Sequence, residues 1–181
     1  MKEIIELIKD FEGIIGALLG VIVTLILTQM LKSVGKIKFY IKENEIDFIN
    51  AEQNMIGEYI ESKVEDRNEA TNINLKHTIE IYNGSEIPKI IRDVKYSFYY
   101  GNNLLLAIDP DDKSTERYTS YSHYRDSFLN INLPPKQITN IEIIQNIKTE
   151  ETEIVKNCTK IYLEMNNHRG KKIKVLLKKF D

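Results

Sequence analysis

The stretch Gly13–Leu31, GIIGALLGVIVTLILTQML, carries no charged residue, and it constrains everything that follows it. As an α-helix rising ~1.5 Å per residue it is roughly 28 Å long, close to the ~30 Å hydrocarbon core of a bilayer. Its polar side chains are Thr24, Thr28 and Gln29, and a threonine hydroxyl can bond back to a carbonyl one turn earlier. The run is apolar on every face, unlike a helix laid against a soluble core. A cleaved signal peptide needs a basic start, a shorter apolar run and a small-residue cleavage site. Here the start is MKEIIELIKDFE, and the run ends in Gln29-Met30-Leu31-Lys32. The expectation is a transmembrane helix over 13–31.

The flanks divide the rest. Ile4, Ile5, Leu7, Ile8 and Phe11 are spaced as on an amphipathic helix, so 1–12 reads as an interfacial segment. Residues 32–35 form a short hinge, and 36–181 a soluble domain of roughly 145 residues, enough for one compact unit. Lys2 and Lys9 precede the span, while Lys32, Lys36, Lys38 and Lys42 follow it. That lysine excess places the C-terminal domain in the cytoplasm of a single-pass protein of the cell membrane. Cys158, the one cysteine, rules out an internal disulfide and fits a reducing compartment. Gly16, Gly20, Thr24 and Thr28 recur every fourth residue, with Gly16 and Gly20 forming a G-x-x-x-G pair. A stripe of this kind lets a second backbone approach, so homo-oligomerisation through the span is expected, although glycine is also common in membrane helices generally.

Beyond the hinge the apolar period drops to two. Ile37, Phe39 and Ile41 alternate with Lys36, Lys38, Tyr40 and Lys42, and Ile46 and Phe48 resume the alternation after an acidic break. Residues 51–70 have mixed spacing. Ile73, Leu75, Ile79 and Ile81 form the clearest inward face, closed by Asn83-Gly84-Ser85. Similar runs lie around Val94–Tyr100, Leu104–Ile108, Phe128–Leu133, Ile138–Ile147, Lys160–Met165 and Ile173–Leu177, with turn residues between them. Residues 109–126 read as a long polar loop, and 148–153 as a charged turn. With no alternation of strand and helix, the domain is expected to be an all-β antiparallel sandwich or small barrel of about eight strands. The Cys-Trp-Cys pattern of immunoglobulin domains cannot occur, since the chain has no Trp and one Cys.

Few residues suggest chemistry. There is no G-x-S-x-G, H-E-x-x-H, P-loop or zinc-spaced Cys/His set, so no catalytic residue, cofactor or metal is expected, and the chain reads as a non-enzyme. His77 lies on the apolar face between Leu75 and Ile79, where a satisfied core histidine is the simpler reading. The DPDD run at 109–112 lacks the turn glycine of an EF-hand loop. Arg117, Tyr118, Tyr121, His123, Tyr124 and Arg125, in RYTSYSHYR, set rigid aromatics beside cations, as a pocket for a small anionic or nucleotide ligand or a protein hot spot would. A loop covering a sheet edge is the plainer alternative. Lys172, Lys174 and Lys178 read as protection of an edge strand, or as a face toward anionic headgroups. A net charge of -2 argues against duplex nucleic acid as a partner.

The sequence therefore reads as a membrane-anchored, non-enzymatic recognition module with a cytosolic β-sandwich. One N-terminal span followed by a β domain also resembles, in layout, the small membrane effectors of nucleotide-signalled antiphage systems, some of which join N-terminal spans to a β-barrel sensor. That resemblance covers architecture alone, and the β-barrel effectors carry two spans where this chain has one. It implies a ligand-sensing β domain, clustering through Gly16 and Gly20, and disruption of the membrane in abortive infection. Reversed topology would make the domain an outward-facing envelope module.

Overall fold

The computed structural model describes residues 2–180 apart from 54 and 121, with backbone alone for 2–10, 59 and 149. A single helix, α1 (Lys2–Ser33), joins the amphipathic start to the apolar run without a break. Within it, Phe11–Ser33 is long and apolar enough to cross a membrane, and its most apolar window is buried against none of the described residues. Thr24 Oγ1 donates to Gly20 O at 2.7 Å, satisfying the hydroxyl inside the helix. The helix outlasts the expected span by two residues, so the extended link to the domain is Val34–Lys36 rather than 32–35.

Among the described residues eleven antiparallel strands follow: β1 (Ile37–Gln53), β2 (Tyr59–Val64), β3 (Asn72–Asn83), β4 (Lys89–Tyr100), β5 (Asn103–Ile108), β6 (Asp111–Tyr118), β7 (His123–Ser127), β8 (Asn130–Leu133), β9 (Ile138–Lys148), β10 (Lys160–Asn166) and β11 (Lys172–Lys179). A short helix, α2 (Thr149–Val155), separates β9 from β10. One sheet has the order β2-β1-β3-β9-β6-β7. The other runs β11-β10-β4-β5, with β8 paired to the first half of β4. Asp93, at φ 54°, kinks β4 between its pairing with β8 and its pairing with β5.

The inner faces follow the apolar alternation. On β3, Ile73, Leu75, His77, Ile79 and Ile81 are all fully buried. They meet Val94, Tyr96 and Phe98 of β4 and Ile161 and Leu163 of β10 across the sandwich, and Ile141, Ile143 and Ile147 of β9 beside them. In β1 the register against β3 shifts between Ile41 and Glu43. This bulge moves the inward phase from Ile37, Phe39 and Ile41 to Asn44, Ile46 and Phe48. The expected sandwich is present, with more strands than about eight because polar segments pair as well.

Two expectations are corrected. Residues 109–126, read as a loop, form most of the β6–β7 hairpin at the edge of the larger sheet. Both of its faces are wholly or partly exposed, so it carries no apolar alternation. The charged turn at 148–153 is largely α2, whose Val155 is buried and whose Thr152 Oγ1 donates to Ile147 O at 3.2 Å.

Candidate functional site

The aromatic and basic residues picked out in RYTSYSHYR lie on the β6–β7 hairpin, apart from Tyr121, which falls outside the described residues. Strand alternation splits them between two faces. On one, the Tyr118 and His123 rings stack at 4.6 Å and 8°. Beside them Glu116 Oε1 accepts from Arg125 Nε at 3.0 Å and Nη2 at 2.6 Å, with His123 Nε2 at 2.6 Å. Hydrogen bonds from Arg125, reinforced by His123, hold the Glu116 carboxyl below its ordinary range. On the other face Arg117 pairs with Asp126 at 2.5 Å, next to Tyr124.

Both guanidinium groups are thus engaged by the hairpin's own acids, which the sequence reading did not match with them. The rings stay available: Tyr118 is 74% exposed and Tyr124 is 55% exposed. An exposed tyrosine on a rigid ribbon offers apolar area and a hydroxyl with little rotamer freedom to lose, which suits a protein contact. If Glu116 organises the ribbon, Glu116→Gln should release the His123 and Arg125 side chains. Their NMR resonances would then broaden or shift, while the core amides stay in place.

The other candidates are structural. Asp112 Oδ1 accepts from Ser114 N and Oγ, and Lys113 reaches Glu142 at 3.1 Å. Among the described residues no group of three or more His, Cys, Asp or Glu is placed to hold a metal ion. Cys158 is buried, which raises its thiol to about 11. β11 is an outer strand, as its lysines suggested. Lys172 and Lys174 contact the buried Glu164 at 3.2 and 2.6 Å, and Tyr99 OH donates to the same carboxylate at 2.6 Å. Burial raises this carboxyl's pKa, but the donors from Lys174, Tyr99 and Lys172 outweigh burial and hold it at about 2. The stabilisation it gives is therefore complete above pH 4.5 and fades as pH falls toward 2.

His77 lies in a polar chain that crosses the sandwich twice. Tyr96 OH, on the opposite sheet, donates to His77 Nδ1 at 2.7 Å. His77 Nε2 donates to Asn44 Oδ1 at 2.9 Å, and Asn44 Nδ2 donates to Leu177 O, again on the opposite sheet, at 2.7 Å. Asn44 Oδ1 can only accept, which puts a proton on Nε2, and in the neutral ring Nδ1 is then the acceptor for Tyr96 OH. Burial agrees, lowering the His77 pKa to about 4. Tyr96→Phe should cost about 1–3 kcal/mol, since His77 Nδ1 loses its donor in a dry interior. Chemical denaturation of the full chain would read this.

At the opposite, helix-bearing end, Gly84 N donates to Lys36 O at 3.1 Å, Glu86 N to Lys32 O at 3.0 Å, and Lys89 Nζ to Gly35 O at 2.6 Å. These bonds tie α1 to the sandwich. Lys89 went unnoticed in the sequence because nothing local marks it; strand topology alone brings it beside Gly35.

Two antiparallel sheets packed face to face, tied through Tyr96, His77 and Asn44 with no disulfide, define an immunoglobulin-like sandwich. The chain belongs to the YopI Ig-like domain family, whose profile matches residues 35–178. It is similar to the SPbeta prophage-derived uncharacterized protein YopI of Bacillus subtilis (strain 168), at 49% identity over 181 residues covering 99% of this chain and 100% of that protein. The match to that protein thus includes α1 along with the sandwich.

Proposed function

We propose that this chain is a single-pass membrane protein whose Ig-like sandwich, on the cytoplasmic side, recognises a partner without catalysing a reaction. The observation that carries the reading is the junction. A helix whose apolar window is buried against none of the described residues runs without interruption into a domain hydrogen-bonded to its last turn. A leader made to be cut away has no need of such bonds. The lysines after the span support the orientation. The non-catalytic reading is supported by where the reactive side chains lie: His77 and Cys158 are buried, His123 is stacked and paired, and the exposed His168 joins no metal-holding group of three or more His, Cys, Asp or Glu among the described residues.

Recognition is assigned to the β6–β7 hairpin through Tyr118 and Tyr124. With the full chain in lipid nanodiscs, Tyr118→Ala with Tyr124→Ala should weaken partner capture by at least about tenfold while leaving thermal unfolding unchanged. Equal capture by wild type and variant would remove the hairpin from the account.

A second reading, a membrane-disrupting effector, is favoured by the prophage origin of the similar protein. It uses the face of Gly16, Gly20, Thr24 and Thr28, where a side chain added at Gly16 or Gly20 meets nothing in the monomer. Gly16→Leu with Gly20→Leu should abolish both resonance transfer between labelled spans and any growth arrest on overexpression. Arrest that persists would exclude clustering through that face.

A further inference from the structure

At the foot of α1 a cavity of about 550 Å³ opens between the helix-to-sandwich link and the turn joining β10 to β11. Lys36, Lys89, His168, Arg169 and Lys171 line it. Among the described residues none of these five lies within ion-pair distance of a carboxylate, whereas the neighbouring Lys172 and Lys174 share Glu164. Lys89 is only 6% exposed, and its ammonium donates to Gly35 O. An ammonium has three protons to donate, so this single protein acceptor leaves it capacity for a ligand. Burial, with Arg169 nearby, lowers the pKa of Lys89; burial, Lys89 and Arg169 do the same to His168. Cations gathered in a recess without acids repel one another, and an anion seated among them removes the repulsion.

The position of the recess identifies the anion. Ser33, the last helical residue, lines the cavity. The apolar stretch that ends there is 23 residues long, or roughly 34 Å, slightly more than a hydrocarbon core. With α1 across the bilayer, the cavity sits at the level of the phosphates.

We propose that this recess binds the phosphate of an anionic phospholipid headgroup, fixing the end of the sandwich against the membrane. Arg169 and Lys171, on an exposed turn, reach the phosphate oxygens, and Lys89 closes the floor. This rests on reading α1 as a span, and the experiment separates the two ideas.

The full chain is extracted from membranes in a neutral detergent, mixed with equal amounts of phosphatidylglycerol and phosphatidylcholine, and weighed by native mass spectrometry. Wild type should retain one phosphatidylglycerol in preference to phosphatidylcholine. Arg169→Gln with Lys171→Gln should lower that retention by roughly tenfold or more. Lys148→Gln with Lys178→Gln, which removes the same charge at the far end of the strands, should match wild type. Equal retention by wild type and the turn variant overturns the site. So does displacement of the lipid by inorganic phosphate, which would show a soluble-phosphate site instead. Sedimentation after alkaline extraction reads the anchor separately. Protein that pellets but holds both lipids alike overturns the recess and spares the span; protein that stays in the supernatant overturns both.

Discussion

Replacing His77 with alanine should lower the unfolding free energy of the sandwich by about 3–5 kcal/mol. The imidazole is fully buried, so its removal opens a cavity between the sheets. The fully buried Tyr96 hydroxyl loses its acceptor, and Asn44 Oδ1 loses its donor. The chain has ten tyrosines and no tryptophan, so tyrosine fluorescence in urea can follow unfolding of the full-length protein in detergent. The same residue sets a pH dependence. The unfolded imidazole protonates near 6.5 and the folded one near 4, so between these values the unfolded state binds the extra proton. Stability from this group is complete above pH 6.5, falls by about 3 kcal/mol on going down to pH 4, and then levels off. His77→Gln should abolish that slope. The acid loss due to Glu164, confined below pH 4.5, should persist.

The second large effect is expected at Gly35. A Cβ there would lie 2.4 Å from Gly84 C and Ser85 N and 2.5 Å from Gly84 O, all main-chain atoms that cannot swing aside. Gly35→Ala must therefore push the link away from the 84–86 turn, and the Gly84–Lys36 and Lys89–Gly35 bonds go with it. Two lost bonds at about 1 kcal/mol each favour opening of the junction by at least tenfold. Limited proteolysis within 33–37 should accelerate by that factor, while the urea midpoint of the core stays close to wild type. Gly101→Ala is the comparison. Gly101 has φ 59° with nothing within 4 Å, so alanine there strains one turn and leaves the junction closed.

The difference between these sites also explains how far the sequence could be read. The apolar helix was legible from its unbroken run of uncharged residues, and the inner faces of β3 and β9 because burial on one side imposes a period that survives in the residue order. His77 was placed in the core by its phase on β3 alone. Its partners were not: Asn44 faces inward only because the bulge at Ile41/Glu43 changes the phase of β1, and Tyr96 arrives from the other sheet. The β6–β7 hairpin was taken for a loop because a ribbon open to solvent on both faces needs no apolar alternation. Its Tyr, Arg and His residues were found by composition. Their division between two faces, and the capture of both arginines by Glu116 and Asp126, depended on a register that no single strand discloses. The recess at the foot of α1 was invisible for a similar reason, since Lys89 and Arg169 are far apart in the chain.

Every functional proposal for this chain requires α1 to cross the membrane with the sandwich inside the cell. The decisive measurement fuses, after Asp181, either a reporter active only outside the cytoplasmic membrane or one active only in the cytosol, in cells fractionated after alkaline extraction. The expected result is an uncleaved chain in the membrane pellet, a silent external reporter and an active cytosolic one. An active external reporter, or a chain cut near the end of α1 and released from the pellet, would contradict it.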